Sequence, residues 1–302
     1  MDFKSKIVLI YGPTASGKSD FAIKLAKKIK GEIVNADSMQ IYRELKLLTA
    51  RPLKKNYQKI KHHLYGFQNS KKIFSTGDWL KLANKNIVNI KKRKKTPILV
   101  GGTGLYFKAL TDGLVEIPNI PLKIRNKVRR LQKTIGQVKF YKKLLSIDPL
   151  ILSKIDPTDS QRSIRAYEVK LFTKKSIVDW FKKTKSNFNN QDFLKIYIDF
   201  PRPNLINRIN KRTNQMIKLG AINEVIRFNK QKIPKNRSIN KAIGVSEIKD
   251  FIKKKISEDV LIEKISIKTR QYAKRQSTWA RGHMTDWKKV NPRDLSRYLK
   301  KN

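Results

Sequence analysis

Cysteine is absent, which excludes disulfides, cysteine-ligated zinc and thiol catalysis and fits a reducing compartment. Acidic residues are scarce. Asp and Glu number 23 against 70 Lys and Arg, a formal net charge of +47 on 302 residues. Such a surface attracts polyanions, with nucleic acid the expected partner and anionic membrane the weaker alternative. Lys, Ile and Asn are abundant along the whole chain, so part of the charge is general composition and not one site. Histidine is rare as well, with three residues. The pair His62-His63 diverges on any regular element, which argues for structural or substrate-adjacent roles over metal binding. No apolar stretch approaches the length needed to cross a bilayer, and MDFKSKIVLIYG runs straight into a core strand without a cleavage site. A cytoplasmic location with no membrane partner is therefore expected. The 39% hydrophobic content is enough to core one large or two modest domains.

The most informative stretch is 6–19. The apolar run Ile7 to Tyr11 stops at Gly12, and Gly12-Pro13-Thr14-Ala15-Ser16-Gly17-Lys18-Ser19 fits G-x-x-x-x-G-K-[ST], the phosphate-cradling P-loop. Backbone N–H groups turn inward on one anion, Lys18 adds a positive charge, Ser19 offers a hydroxyl to Mg²⁺, and the following helix presents its positive dipole end. An NTP or another phosphate ester would fit equally well. A second strand, 31–36, ends at Asp37, either a turn or cap residue or a catalytic carboxylate at the strand-end crevice.

Residues 43–75 read as basic and irregular, followed by a helix over 79–92. A strand over 97–100 ends in Gly101-Gly102-Thr103-Gly104 where a standard NTPase carries a carboxylate. That turn suits close approach to a phosphate or substrate edge. From about 115 to 195 the pattern is helical, with helices expected over 122–146, 148–155 and 160–184. Gln161 and Arg165 share a face there, a face that serves either RNA contacts or plain solvation. A strand over 194–200 re-enters the sheet, and the helix after it carries Arg208 and Arg212 four apart, with Leu205, Ile209, Met216 and Leu219 on its apolar side. The pair is either a solvent-facing stripe or a diphosphate clamp. A long helix over 258–281 places Lys264, Lys268 and Arg275 near one face beside Gln271, Lys274, Trp279 and Arg281, the basic and aromatic mixture of a single-stranded RNA groove.

The expected fold is α/β: a P-loop NTPase-like parallel sheet flanked by helices. Residues 1–115 and 195–302 form the core domain, and 116–194 an all-helical insertion.

Taken in order, GPTASGKS, DSMQIY, TARP, GGTGLYFKAL, DPTDSQRSIRAYEV, the Arg208/Arg212 helix, IGVSEI and TRQYAKRQSTWAR resemble the bacterial tRNA dimethylallyltransferases from one end of the chain to the other. The resemblance implies transfer of a dimethylallyl group from dimethylallyl diphosphate to N6 of adenosine 37 in tRNAs reading codons that begin with U. It implies Asp37 as general base, Thr103 assisting, and Lys18 on the leaving group. Residues 12–19 with Arg212 would hold the diphosphate, and Ser19 the Mg²⁺. It further implies tRNA contacts from Asp37, Ser38, Met39, Gln40, Thr103, Arg125, Gln161, Arg162, Ser163, Ile164, Arg165, Lys274 and Arg275, the anticodon stem-loop being the partner and one tRNA per monomer the simplest expectation. Ser19 stands where many members carry threonine and keeps the hydroxyl. The rival readings are a P-loop kinase of a nucleotide or small acceptor, and an RNA-binding protein with a vestigial loop. The charge and the missing strand-end carboxylate count against the first, and the intact Gly17 and Lys18 against the second.

Overall fold

The computed structural model describes residues 6–57, 59–182 and 184–292. Its strands are β1 (Ile7–Tyr11), β2 (Gly31–Asn35), β3 (His62–His63), β4 (Thr96–Gly101), β5 (Phe193–Ile198) and β6 (Lys288–Val290). They form one sheet in the order β3-β2-β4-β1-β5-β6 with every pairing parallel. The helices are α1 (Lys18–Lys28), α2 (Thr76–Lys92), α3 (Gly104–Thr111), α4 (Leu122–Ile147), α5 (Ser160–Thr173), α6 (Ile177–Phe181), α7 (Arg202–Lys218), α8 (Ala221–Lys230), α9 (Val245–Ile252) and α10 (Glu258–His283). The chain divides into two compact units, Met1–Thr111 with Phe188–Asn302, and Asp112–Asn187.

Because helices cover both faces of a parallel sheet, the central strand β1 reads as an unbroken apolar run and β4 as a nearly unbroken one. Alternate residues of β1 then enter different cores. Ile7, Leu9 and Tyr11 pack with Trp79, Ile87 and Phe107 of α2 and α3, while Val8 and Ile10 pack with Phe21, Ala22 and Leu25 of α1. The phosphate loop therefore leaves a strand fixed on both sides, between β4 and β5.

Several expected boundaries move for local reasons. α2 starts at Thr76 because Ser75 and Asp78 cap it reciprocally. The stretch 148–155 forms only a 3₁₀ turn at Pro149–Ile151. The expected 160–184 helix breaks where Lys174 turns left-handed at φ 60°, and α6 restarts after Ser176 caps it. α4 is kinked at Gly136, whose φ is 75°. Leu219 lies beyond α7 and is 67% exposed, so it is not on the buried side. Strands β3 and β6 were not expected, being two and three residues long, too short to show alternation.

The histidine pair is structural. Glu32 is buried and meets both His63 Nε2 and the Arg93 guanidinium at 2.7 Å. Burial pushes its carboxyl up, but hydrogen bonds from Arg93 and His63 outweigh this and hold it below the usual carboxylate range. His62 stacks on Tyr57 with ring centroids 3.7 Å apart.

Candidate active site

At the C-terminal edge of the sheet, a cleft of about 680 Å³ opens over the phosphate loop. Thr14, Ala15, Gly17, Lys18 and Ser19 line it on the loop side, and Asp37 to Gln40 face them from the end of β2. α7 contributes Arg208 and Arg212, α10 contributes Tyr272 and Arg275, and Leu48, Met216, Ile243 and Ile265 supply an apolar wall.

The loop geometry is that of an anion cradle. Gly17 turns left-handed at φ 83° immediately before α1, so the helix dipole opens onto the cleft. A Cβ on Gly17 would lie 3.4 Å from the Arg208 guanidinium, which in turn stacks over Phe200 at 5.1 Å. Arg212 donates to Thr14 Oγ1 at 2.7 Å, and Lys18 Nζ donates to the Pro13 carbonyl at 3.2 Å. The remaining loop residues act through backbone shape. Gly12, Pro13 and Ser16 are buried outside the cleft lining. Ser16 Oγ has no hydrogen-bond partner, and a Cβ on Gly12 would sit 2.8 Å from it.

Electrostatics show what the cleft lacks. Burial is the main cause that lowers Lys18 to about 8; Asp37 opposes the shift and Arg212 adds to it. Burial likewise lowers Arg212 to about 10, against Asp37 and with Arg208. Lys18, Arg208, Lys211, Arg212, Lys241 and Arg275 outnumber Asp20 and Asp37 in the cleft lining, an excess of positive charge that a multiply charged anion relieves.

Asp37 takes the turn role and also lines the cleft. Its Oδ1 accepts from the Met39 and Gln40 backbone N–H groups at 2.9 and 3.4 Å, an Asx turn, while its carboxylate also borders the cleft. Asn35 holds the same turn through Asp37 N and Asp37 O, both at 3.0 Å. Thr103 stands one layer back: its hydroxyl accepts from Ser38 N at 2.9 Å and donates to Ser38 Oγ at 3.3 Å, and the cleft wall is Ser38 itself. Gln40 donates its amide to the Thr49 carbonyl at 3.1 Å.

The Gly101–Gly104 turn is glycine-rich for a reason other than ligand approach. A Cβ at 101 would meet the Ala36 backbone at 2.0 Å, at 102 the Gln276 amide at 2.1 Å, and at 104 the Trp279 ring at 2.3 Å. The close neighbours are the chain's own elements. Trp279, expected as an RNA contact, packs inward against Gly104 and Tyr11 and stacks on His283, and Lys268 pairs with Glu247. Lys274 is exposed on α10, and Arg275 lies over the Tyr272 ring at 5.8 Å.

Arg125 and residues 161–165 lie in the second unit. There the buried Glu168 has Arg125, Arg129 and Arg165 at 4.0, 3.6 and 3.6 Å. Gln161 and Arg162 are exposed. Ile164 packs against that unit's core. Ser163 is fully buried, its hydroxyl donating to the Asp159 carbonyl at 2.7 Å, so its side chain is not presented to a partner.

Two residues that shape the site carried no local sequence signal. Glu224 of α8 accepts the Lys46, Leu47 and Leu48 N–H groups at 2.7, 2.8 and 2.9 Å, fixing the loop behind the apolar wall. Gln276 of α10 joins the phosphate loop to the Gly101–Gly104 turn. Its spacing from Ile265, Thr269 and Tyr272 along one helix face was the available hint.

Fold and cleft together define an α/β protein with an all-parallel sheet, a cationic cleft over the 12–19 loop, and glycine and threonine, not a carboxylate, at the end of β4. Comparison places it more narrowly. The chain belongs to the IPP transferase family, whose model matches residues 40–283. It is 60% identical over 301 residues to the tRNA dimethylallyltransferase of Pelagibacter ubique, covering 100% of this chain and 96% of that one. Among solved structures, the tRNA delta(2)-isopentenylpyrophosphate transferase of Staphylococcus epidermidis superposes with a TM-score of 0.69 at 33% identity, covering 98% of this chain and 96% of that one. A eukaryotic dimethylallyltransferase described as acting on tRNA superposes with a TM-score of 0.84 at 27% identity, covering 97% and 75% of the two chains. No helix among the described residues is long and apolar enough to cross a membrane.

Proposed function

We propose that the protein transfers a dimethylallyl group from dimethylallyl diphosphate to N6 of adenosine 37 in tRNAs that read codons beginning with U, releasing diphosphate. The observation that carries this reading is the meeting of Lys18, Arg208 and Arg212 with the carboxylate of Asp37 in one part-apolar cleft. N6 attacks C1 of the dimethylallyl group, the C1–O bond breaks, and its electron pair leaves with the diphosphate. Lys18, Arg208, Arg212 and the α1 N-terminus stabilise that departing charge. Both Asx-turn N–H groups bond Asp37 Oδ1, which orients the carboxylate and leaves Oδ2 to take the N6 proton as attack proceeds.

Leu48, Met216, Ile243 and Ile265 suit the hydrocarbon tail. The adenine must leave its stack to enter the cleft. Ser38, Met39, Lys274 and Arg275 border its path, and Arg125, Gln161, Arg162 and Arg165 supply further RNA contacts on the helical unit. The donor chemistry at Ser19 fits magnesium, a hard cation that takes a hydroxyl oxygen and completes its shell with phosphate and water. Ser19 would hold it, and when bound it supplies additional charge neutralisation on the diphosphate.

The test is incubation of the purified protein with labelled dimethylallyl diphosphate, Mg²⁺ and unmodified tRNA. Label on adenosine 37 is the expected result. Unlabelled tRNA, together with ATP-dependent phosphorylation of a small acceptor, would overturn the reading in favour of a kinase.

A further inference from the structure

Gln276 is buried within α10, and each end of its amide is committed. Oε1 accepts the Thr14 backbone N–H of the phosphate loop at 2.8 Å, and Nε2 donates to the Gly102 carbonyl at 2.8 Å. One partner is a donor and the other an acceptor, so the amide has a single orientation. Its own carbonyl accepts from the Tyr11 hydroxyl at 2.9 Å, at the end of β1. One residue beyond Gly102, Thr103 holds Ser38 through its hydroxyl, and Ser38 adjoins Asp37. A path of hydrogen bonds, joined by the Gly102–Thr103 and Asp37–Ser38 peptide links, thus runs from the loop that cradles the leaving group to the turn that carries the carboxylate.

We propose that Gln276 is a positioning residue that sets the phosphate loop against Asp37 across the cleft. Its amide bonds both the phosphate loop and the Gly101–Gly104 turn, and only an amide of this length serves both ends. Glutamate keeps the Thr14 bond but offers no proton to Gly102, asparagine is shorter by a methylene, and methionine serves neither end. Gly102 has no room for a Cβ because Gln276 occupies that space, so bridge and glycine form one device. This inference rests on the prenyl-transfer reading and adds a residue that touches neither reactant.

The test compares Gln276→Met and Gln276→Glu with wild type in single-turnover transfer at saturating dimethylallyl diphosphate and tRNA, alongside tRNA binding and amide hydrogen exchange. With Gln276→Met the transfer rate is expected to fall on the order of 10²-fold, the scale of a misplacement of about 1 Å, while tRNA affinity holds and the Thr14 amide exchanges faster. Combined with Thr103→Val the two losses should not multiply, because both cut one path. If the methionine variant fails to fold, Gln276→Glu carries the test and should lose rate through the Gly102 end alone. A folded variant with wild-type rate overturns the inference, and so does a rate loss matched by an equal loss of tRNA affinity. Failure of the prenyl-transfer reading would appear instead as inactivity of the wild type.

Discussion

Replacing Lys18 by methionine should stabilise the ligand-free protein while disabling it. Burial lowers the Lys18 ammonium from 10.5 to about 8. At about 1.4 kcal/mol per unit, holding it protonated costs the fold about 3 kcal/mol. Methionine has a similar length and no charge to desolvate. It forfeits the Nζ hydrogen bond to the Pro13 carbonyl, worth about 1 kcal/mol, so a net gain of about 2 kcal/mol is expected at pH 7. The sign and its pH window follow from proton counts. Below about 8 both folded and unfolded wild type carry the proton and the full cost applies. Between about 8 and 10.5 the unfolded chain binds more protons than the folded one, wild-type stability rises with pH, and the advantage of methionine fades. Urea unfolding of both proteins at pH 7 and pH 10 measures this directly. Lower stability of Lys18→Met at pH 7, or a gain that persists unchanged at pH 10, would refute the reasoning.

Four further outcomes are expected. Asp37→Asn should slow prenyl transfer by about 10²-fold or more, the scale of a lost general base, with little change in tRNA affinity by filter binding. The KM for dimethylallyl diphosphate should rise as pH passes about 8, where Lys18 loses its proton, and a flat profile to pH 10 would separate Lys18 from donor binding. Gly104→Ala places a Cβ 2.3 Å from the Trp279 ring and should cost about 1–3 kcal/mol by overpacking, read as a lower melting temperature. The affinity for tRNA should fall steeply with added salt, in proportion to the phosphates neutralised, and a salt-independent Kd would contradict a charge-driven interface.

Much of the core was legible because parallel strands buried on both faces leave apolar runs, unbroken in β1 and interrupted by Glu32 in β2 and Lys195 in β5. β1, β2, β4 and β5 were all readable, whereas His62–His63 and Lys288–Val290 were too short to carry a pattern. The 160–184 stretch looked like one helix because helical periodicity does not register a single left-handed residue such as Lys174. The glycines of 101–104 were legible as a turn, yet their reason was not. What crowds them is Ala36, Gln276 and Trp279, none of them sequence neighbours.

The sequence alone placed the 12–19 loop between β1 and α1, since its turn is set by local backbone chemistry, and pointed to the family, since eight separated motifs stand in order. It also located Asp37 at a strand end. Tertiary structure decided which of two roles each ambiguous residue takes. Arg212 lines the cleft because α7 lays it on Thr14, Trp279 packs against the core because α10 turns it onto Gly104, and Thr103 bonds Ser38 behind the cleft wall. It alone revealed Gln276, which bonds Thr14 across 262 positions. A hydrogen bond depends on distance in space, and only the packing of α10 against the end of β1 brings that amide within reach.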